Sequence, residues 1–169
     1  MNIILVGSMG AGKTTIGRQL AKRLKRTFYD SDHELVERCG VDIPTIFEFE
    51  GESGFRDRES QVIDELSKLD NIVLATGGGA VLRPENRKML AARGHVIYLR
   101  VSLKNQHLRT SADRNRPLLQ GGDLMAKLQK LRDDRDPLYR ALADHIVDTD
   151  DRTPNNVAQS IQRKLNLSR

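Results

Sequence analysis

The chain has 169 residues, 38% hydrophobic and 30% charged, a balance that excludes a disordered protein and suits one domain spanning residues 1–169. No run of consecutive hydrophobic residues exceeds four, against the roughly 20 a spanning helix needs, so no membrane partner is expected. The net charge of +5 comes with 4% aromatics and no tryptophan, which argues against nucleic acid as a partner.

Asn2 to Val6 is a short apolar strand, and a glycine-rich loop follows it. Ile16, Leu20 and Leu24 then recur at helical spacing. Thr27 to Tyr29 reads as a second strand, and a helix from about Asp32 stops at Gly40. Cys39, the only cysteine, has no partner in the chain. Together with the lack of a basic stretch in Met1 to Gly12, it points to a reducing, cytoplasmic setting. Pro44 opens a brief helix carrying Ile46 and Phe47, and Ser53 is expected to cap a longer one with Phe55, Val62, Ile63, Leu66 and Leu69 on one face.

Asn71 to Thr76 is a buried-type strand that runs into three glycines, and Pro84 starts a helix that Gly94 ends. His95 to Val101 is a further strand, with Ser102 capping the helix after it. Residues 100–140 hold ten Lys or Arg and five Asp or Glu, so the excess charge is local and suits a compact anionic ligand as well as a solvated helix face. Within it Ala112 to Gly122 is loop-like, and Asp123 to Ala143 is helical with an expected break or kink at Pro137. Ile146 to Asp148 is the last strand, and Thr153-Pro154 launches a closing helix. Strands alternating with helices predict an α/β fold with a parallel sheet of five strands covered on both faces.

Gly7-Ser8-Met9-Gly10-Ala11-Gly12-Lys13-Thr14 fits the G-x-x-x-x-G-K-[ST] phosphate-binding loop and sits between a predicted strand and a predicted helix, as that loop requires. Its N–H groups, with the helix dipole, suit a polyphosphate; Lys13 reaches toward the β and γ phosphates, and Thr14 offers a hydroxyl to Mg²⁺. Gly10, Ala11, Gly12, Lys13, Thr14 and Thr15 are the expected ATP contacts. Asp30-Ser31-Asp32 ends the second strand with both carboxylates facing one cleft, one for the metal and one for an attacking hydroxyl.

With Gly54-Phe55-Arg56-Asp57-Arg58-Glu59, Gly77-Gly78-Gly79, Arg116-Pro117-Leu118-Leu119 and Arg135-Asp136-Pro137-Leu138-Tyr139 added to these, residues 3 to 165 resemble the shikimate kinase family in motif order and spacing. The resemblance implies a three-layer P-loop kinase with strand order 2-3-1-4-5 and a mobile lid at about residues 112–123. It implies that the chain uses ATP and Mg²⁺ to phosphorylate the 3-hydroxyl of shikimate; a monomer is expected, although sequence alone does not give the oligomeric state. Asp32, Arg56, Gly77, Gly78, Gly79 and Arg135 are then the shikimate residues, and Thr14 with Asp30 serves the metal. Lys13, Asp32 and Arg116 are the catalytic group, and Arg109, Arg116, Arg152 and Pro154 lie toward the nucleotide. Arginine forks suit the substrate carboxylate, and Glu59, one turn beyond Arg56, is placed to hold that guanidinium. Phe47 and Phe55 either wall the ring or pack in the core. Two other readings share the phosphate loop, a gluconate-type small-metabolite kinase and a non-catalytic nucleotide-binding regulator. The first does not need two arginines for one acid, and the second does not need the full catalytic set.

Overall fold

The computed structural model describes residues 1–111 and 117–167. Five strands, β1 (Asn2–Val6), β2 (Thr27–Asp30), β3 (Ile72–Ala75), β4 (Gly94–Arg100) and β5 (His145–Asp148), form one parallel sheet in the order β2-β3-β1-β4-β5. Strand count and order are those expected. Side chains alternate across β1, so Ile4 and Val6 enter one core cluster while Ile3 and Leu5 enter the other. Helices α1 (Lys13–Leu24) and α7 (Pro154–Lys164) cover the second face through Ile16, Leu20, Val157 and Ile161. The first face takes Leu35 of α2 (Ser31–Cys39), Phe55 and Ile63 of α3 (Ile43–Ser67), Leu90 of α4 (Pro84–Arg93) and, beyond α5 (Leu103–Thr110), Tyr139 of α6 (Leu124–Leu142).

This order matters because the chain steps from β3 to β4 across β1. The order in which strands are added therefore reverses beside β1, and the loops leaving the carboxyl ends of β1, β2 and β3 meet in one crevice. Leu5 fastens two of those loops together: its carbonyl accepts both the Thr76 amide at 3.1 Å and the Thr76 hydroxyl at 2.9 Å.

Three local expectations are corrected. Ser53 caps nothing, because the break in α3 falls at Gly51, whose φ of 69° and ψ of −178° are open almost only to glycine. The true cap of α3 is Asp42, which accepts the Thr45 amide at 3.0 Å. Leu69 lies past the end of α3 and is 40% exposed. Of the break or kink expected at Pro137, the break does not occur: α6 runs from Leu124 to Leu142 with Leu128, Arg135 and Tyr139 buried on either side of the proline. Of the expected lid, residues 112–116 lie outside the described residues, while Pro117–Leu119 form a short 3₁₀ turn with Leu119 packed on Met9 and Leu128.

Candidate active site

The phosphate loop leaves β1 and enters α1 through Gly12, whose φ of 90° is the left-handed turn that lets the helix start abruptly. The Lys13 ammonium donates to the carbonyls of Gly7 at 2.6 Å and Ser8 at 2.9 Å, which holds it across the loop. Helix α5 braces the loop from outside. Gln106 Nε2 donates to the Met9 carbonyl at 2.9 Å, and Arg109 Nη1 to the Gly10 carbonyl at 2.9 Å.

Thr14 donates its hydroxyl proton to Asp30 Oδ2 at 2.5 Å. The other Asp30 oxygen accepts the amides of Asp32 and His33 at 3.0 and 3.2 Å and caps α2. With the proton committed to Asp30, the Thr14 oxygen keeps its lone pairs for a hard cation, the donor chemistry Mg²⁺ takes. Asp30 and Asp32 do face one cavity, as expected. Asp32 reaches it from the first turn of α2 instead of from an alternating strand position.

Next to this cavity lies a second. Asp32, Arg56, Glu59, Arg135 and the Gly77–Gly79 turn form its polar wall, while Met9, Ile43, Phe47, Phe55, Pro117 and Leu118 form an apolar one. The expected alternatives for Phe47 and Phe55 are thus both realised: their rings pack at 4.9 Å and also line the cavity. At two of the three glycines a side chain would crowd the polar wall. A Cβ on Gly77 would stand 2.7 Å from Asp32 Oδ1 and 2.8 Å from Glu59 Oε2, and one on Gly79 would stand 2.5 Å from the Arg56 guanidinium carbon. Ser31 accepts the Gly77 amide at 3.1 Å and ties the turn to α2.

Arg56 and Arg135 are buried, at 8% and 3% exposure, so neither guanidinium is a solvated surface charge. Arg56 Nη1 donates to Glu59 Oε1 at 2.9 Å, and its plane lies 5.1 Å from the Phe55 ring centroid. Burial pushes the Glu59 carboxyl up to about 7 against the pull of Arg56. Among the described residues, Arg56 Nε and Glu59 Oε2 are buried without a hydrogen-bond partner, so the pair keeps unsatisfied polar capacity.

Comparison with known proteins settles the kinship of this arrangement. The family model described as shikimate kinase matches residues 9–166. The chain belongs to the shikimate kinase family. A shikimate kinase of Burkholderia thailandensis is 55% identical over 168 residues, covering 99% of this chain and 91% of the relative. The solved shikimate kinase from Acinetobacter baumannii in complex with shikimate has 50% identity and a TM-score of 0.95, covering 98% of this chain and 93% of that one. That from Bacteroides thetaiotaomicron has 32% identity and a TM-score of 0.90, with 99% of each chain covered.

For this shikimate kinase family member, Lys13, Asp30, Asp32, Arg56, Gly77, Gly78, Gly79 and Arg135 converge on the two adjoining cavities. Arg109 and Arg152 meet at a separate shallow recess near the α5 end, where Arg152 donates to the carbonyls of Asp148 at 3.1 Å and Asn156 at 3.3 Å. Pro154 is the first residue of α7 beside them. Arg116 lies outside the described residues. Sequence reasoning missed Met9 and Ile43, which border both cavities, and Gln106, which holds the loop. Ile43 carries no motif at all. Tyr139 stood in a quoted motif without a role.

Proposed function

We propose that two buried arginines beside a side-chain-free turn, sharing a wall with the phosphate loop, receive shikimate while ATP lies along Gly10 to Thr15. The activity is that of a shikimate kinase: ATP- and Mg²⁺-dependent phosphorylation of the shikimate 3-hydroxyl to shikimate 3-phosphate, on the route to chorismate and the aromatic amino acids. The carrying observation is the pairing of Arg56 and Arg135 around Gly77–Gly79, within the same cavity as Asp32. Arginine forks match a carboxylate, and Asp32 is placed to accept a hydroxyl proton.

Each residue then has a task. Arg56, oriented by Glu59, and Arg135 bind the carboxylate. Asp32 orients or deprotonates the hydroxyl. Thr14, polarised by Asp30, would hold Mg²⁺, which when bound offsets phosphate charge. Lys13 moves from the loop carbonyls to the transferred phosphate, and Arg116 stabilises charge there from the lid. Arg109, Arg152 and Pro154 flank the base. Catalysis rests on positioning and electrostatics. We further read the chain as one domain, a cytoplasmic monomer without nucleic-acid partners. Among the described residues no helix is long and apolar enough to cross a membrane.

A coupled ADP-release assay tests the reading. Shikimate should be phosphorylated and gluconate should not; equal rates with both acceptors would overturn the assignment. Arg56→Ala and Arg135→Ala should raise the shikimate KM by about tenfold to a hundredfold, as loss of a charge-assisted contact predicts. Lys13→Met and Asp32→Asn should instead depress kcat. An unchanged shikimate KM in both arginine variants removes the carboxylate clamp.

A further inference from the structure

Tyr139 follows Arg135 by four residues on α6, so the two side chains leave the helix on one face. The tyrosine is 1% exposed, and its ring lies 4.9 Å from that of Tyr98. Its hydroxyl donates to the Gly78 carbonyl at 2.5 Å, a contact between residues 61 apart in sequence. Burial pushes the phenol up to about 12, so the group keeps its proton and remains a donor at neutral pH. Tyr98 sends its own hydroxyl elsewhere, to Asp136 Oδ1 at 2.6 Å. Gly78 also faces Arg135: the position a Cβ would take on it is 3.4 Å from Arg135 Nη1.

A turn of three glycines has no side chain with which to anchor itself and the widest backbone freedom of any sequence. Its peptides are trans, so fixing the Gly78 carbonyl also fixes the direction of the Gly79 N–H on the far side of the same peptide plane. Among the described residues, that N–H has no acceptor. We propose that the Tyr139 hydroxyl is a positioning group for the acceptor: by clamping α6 to the Gly77–Gly79 turn, it sets the spacing between Arg135 and Gly78 and so the width of the cavity. The inference rests on the reading of that cavity as the shikimate site. Ser31 and the amides of Ala80 and Leu82 hold Gly77 and Gly79, so without the clamp it is the Gly78 peptide that must be ordered at each binding event, a penalty that falls on acceptor affinity and not on the chemical step.

The test is Tyr139→Phe, which removes one oxygen and keeps the ring, beside Tyr98→Phe, which removes the neighbouring hydroxyl without touching the turn. Tyr139→Phe should raise the shikimate KM about fivefold to tenfold, the size of one buried hydrogen bond, with kcat and the ATP KM within about twofold of wild type. Calorimetric titration with shikimate alone should weaken by the same factor. Both variants lose a buried hydrogen bond and should lose similar thermal stability, whereas Tyr98→Phe should keep the wild-type shikimate KM. A wild-type KM and affinity in Tyr139→Phe, or an equal rise in both variants, overturns the proposal. Failure of the wild-type protein to phosphorylate shikimate is a separate result: it overturns the reading of the site, and this inference with it, whatever the two variants show.

Discussion

Glu59 does two opposed things. Its Oε1 holds Arg56 at 2.9 Å, yet at 1% exposure its own charge is poorly solvated, and the carboxyl titrates near 7 instead of near 4.5. Between those values the folded protein keeps a proton that the unfolded chain has released, so stability falls as pH rises through this window and levels off above it. At one pKa unit per about 1.4 kcal/mol, the whole effect is at most about 3 to 4 kcal/mol. Glu59→Gln cannot titrate and should lose the slope. Urea denaturation at pH 5, 6, 7 and 8 should therefore show the wild type most favoured over the variant near pH 5 and least near pH 8. A stability difference that stays constant across the series would show that burial does not hold this proton.

The long helix α3 illustrates how an element places residues that its sequence neighbours do not predict. Its first segment brings Phe47 to the cavity wall and its second brings Phe55, Arg56 and Glu59, and the turn between them is Gly51. Nothing lies within 4 Å of a Cβ added there, so Gly51→Ala meets no clash and reports backbone strain alone. The conformation costs a residue with a side chain about 1 to 3 kcal/mol, which for a chain of this size lowers Tm by roughly 2 to 10 °C. If α3 relaxes to a straight helix to avoid that cost, Phe47 moves off Phe55 and the shikimate KM rises as well. A melting temperature equal to wild type would show that Gly51 carries no strain. The same helix marks what was legible. Phosphate loop, the Asp30-Ser31-Asp32 pair and glycine turn are short-range features whose chemistry is written in adjacent residues. Gly51 was not legible, because Ser53 offers an ordinary cap signal and only packing against the sheet decides between them. Pro137 was misread for a related reason: propensity spoke for a break, and buried residues on either side spoke louder. The Tyr139 contact joins distant parts of the chain, and no local pattern encodes it.

At the scale of the molecule, the two cavities are not independent chambers. Met9, Asp32, Ile43, Gly77 and Gly78 line both, and a Cβ on Gly78 would lie 3.4 Å from the Met9 amide nitrogen, so the dividing wall is one layer thick. That wall hangs from adjacent strands: the phosphate loop from β1, braced by Gln106 and Arg109, and the glycine turn from β3, fastened to β1 through Leu5 and Thr76. If a ligand in either cavity orders this shared wall, the second ligand is spared that ordering. Shikimate should accordingly tighten ADP·Mg²⁺ binding, by about twofold to tenfold for a coupling of up to about 1.4 kcal/mol, and the nucleotide must tighten shikimate by the same factor. Isothermal titration of each ligand with and without the other closes the cycle. Affinities unchanged by the second ligand would mean that the wall is already rigid before either binds.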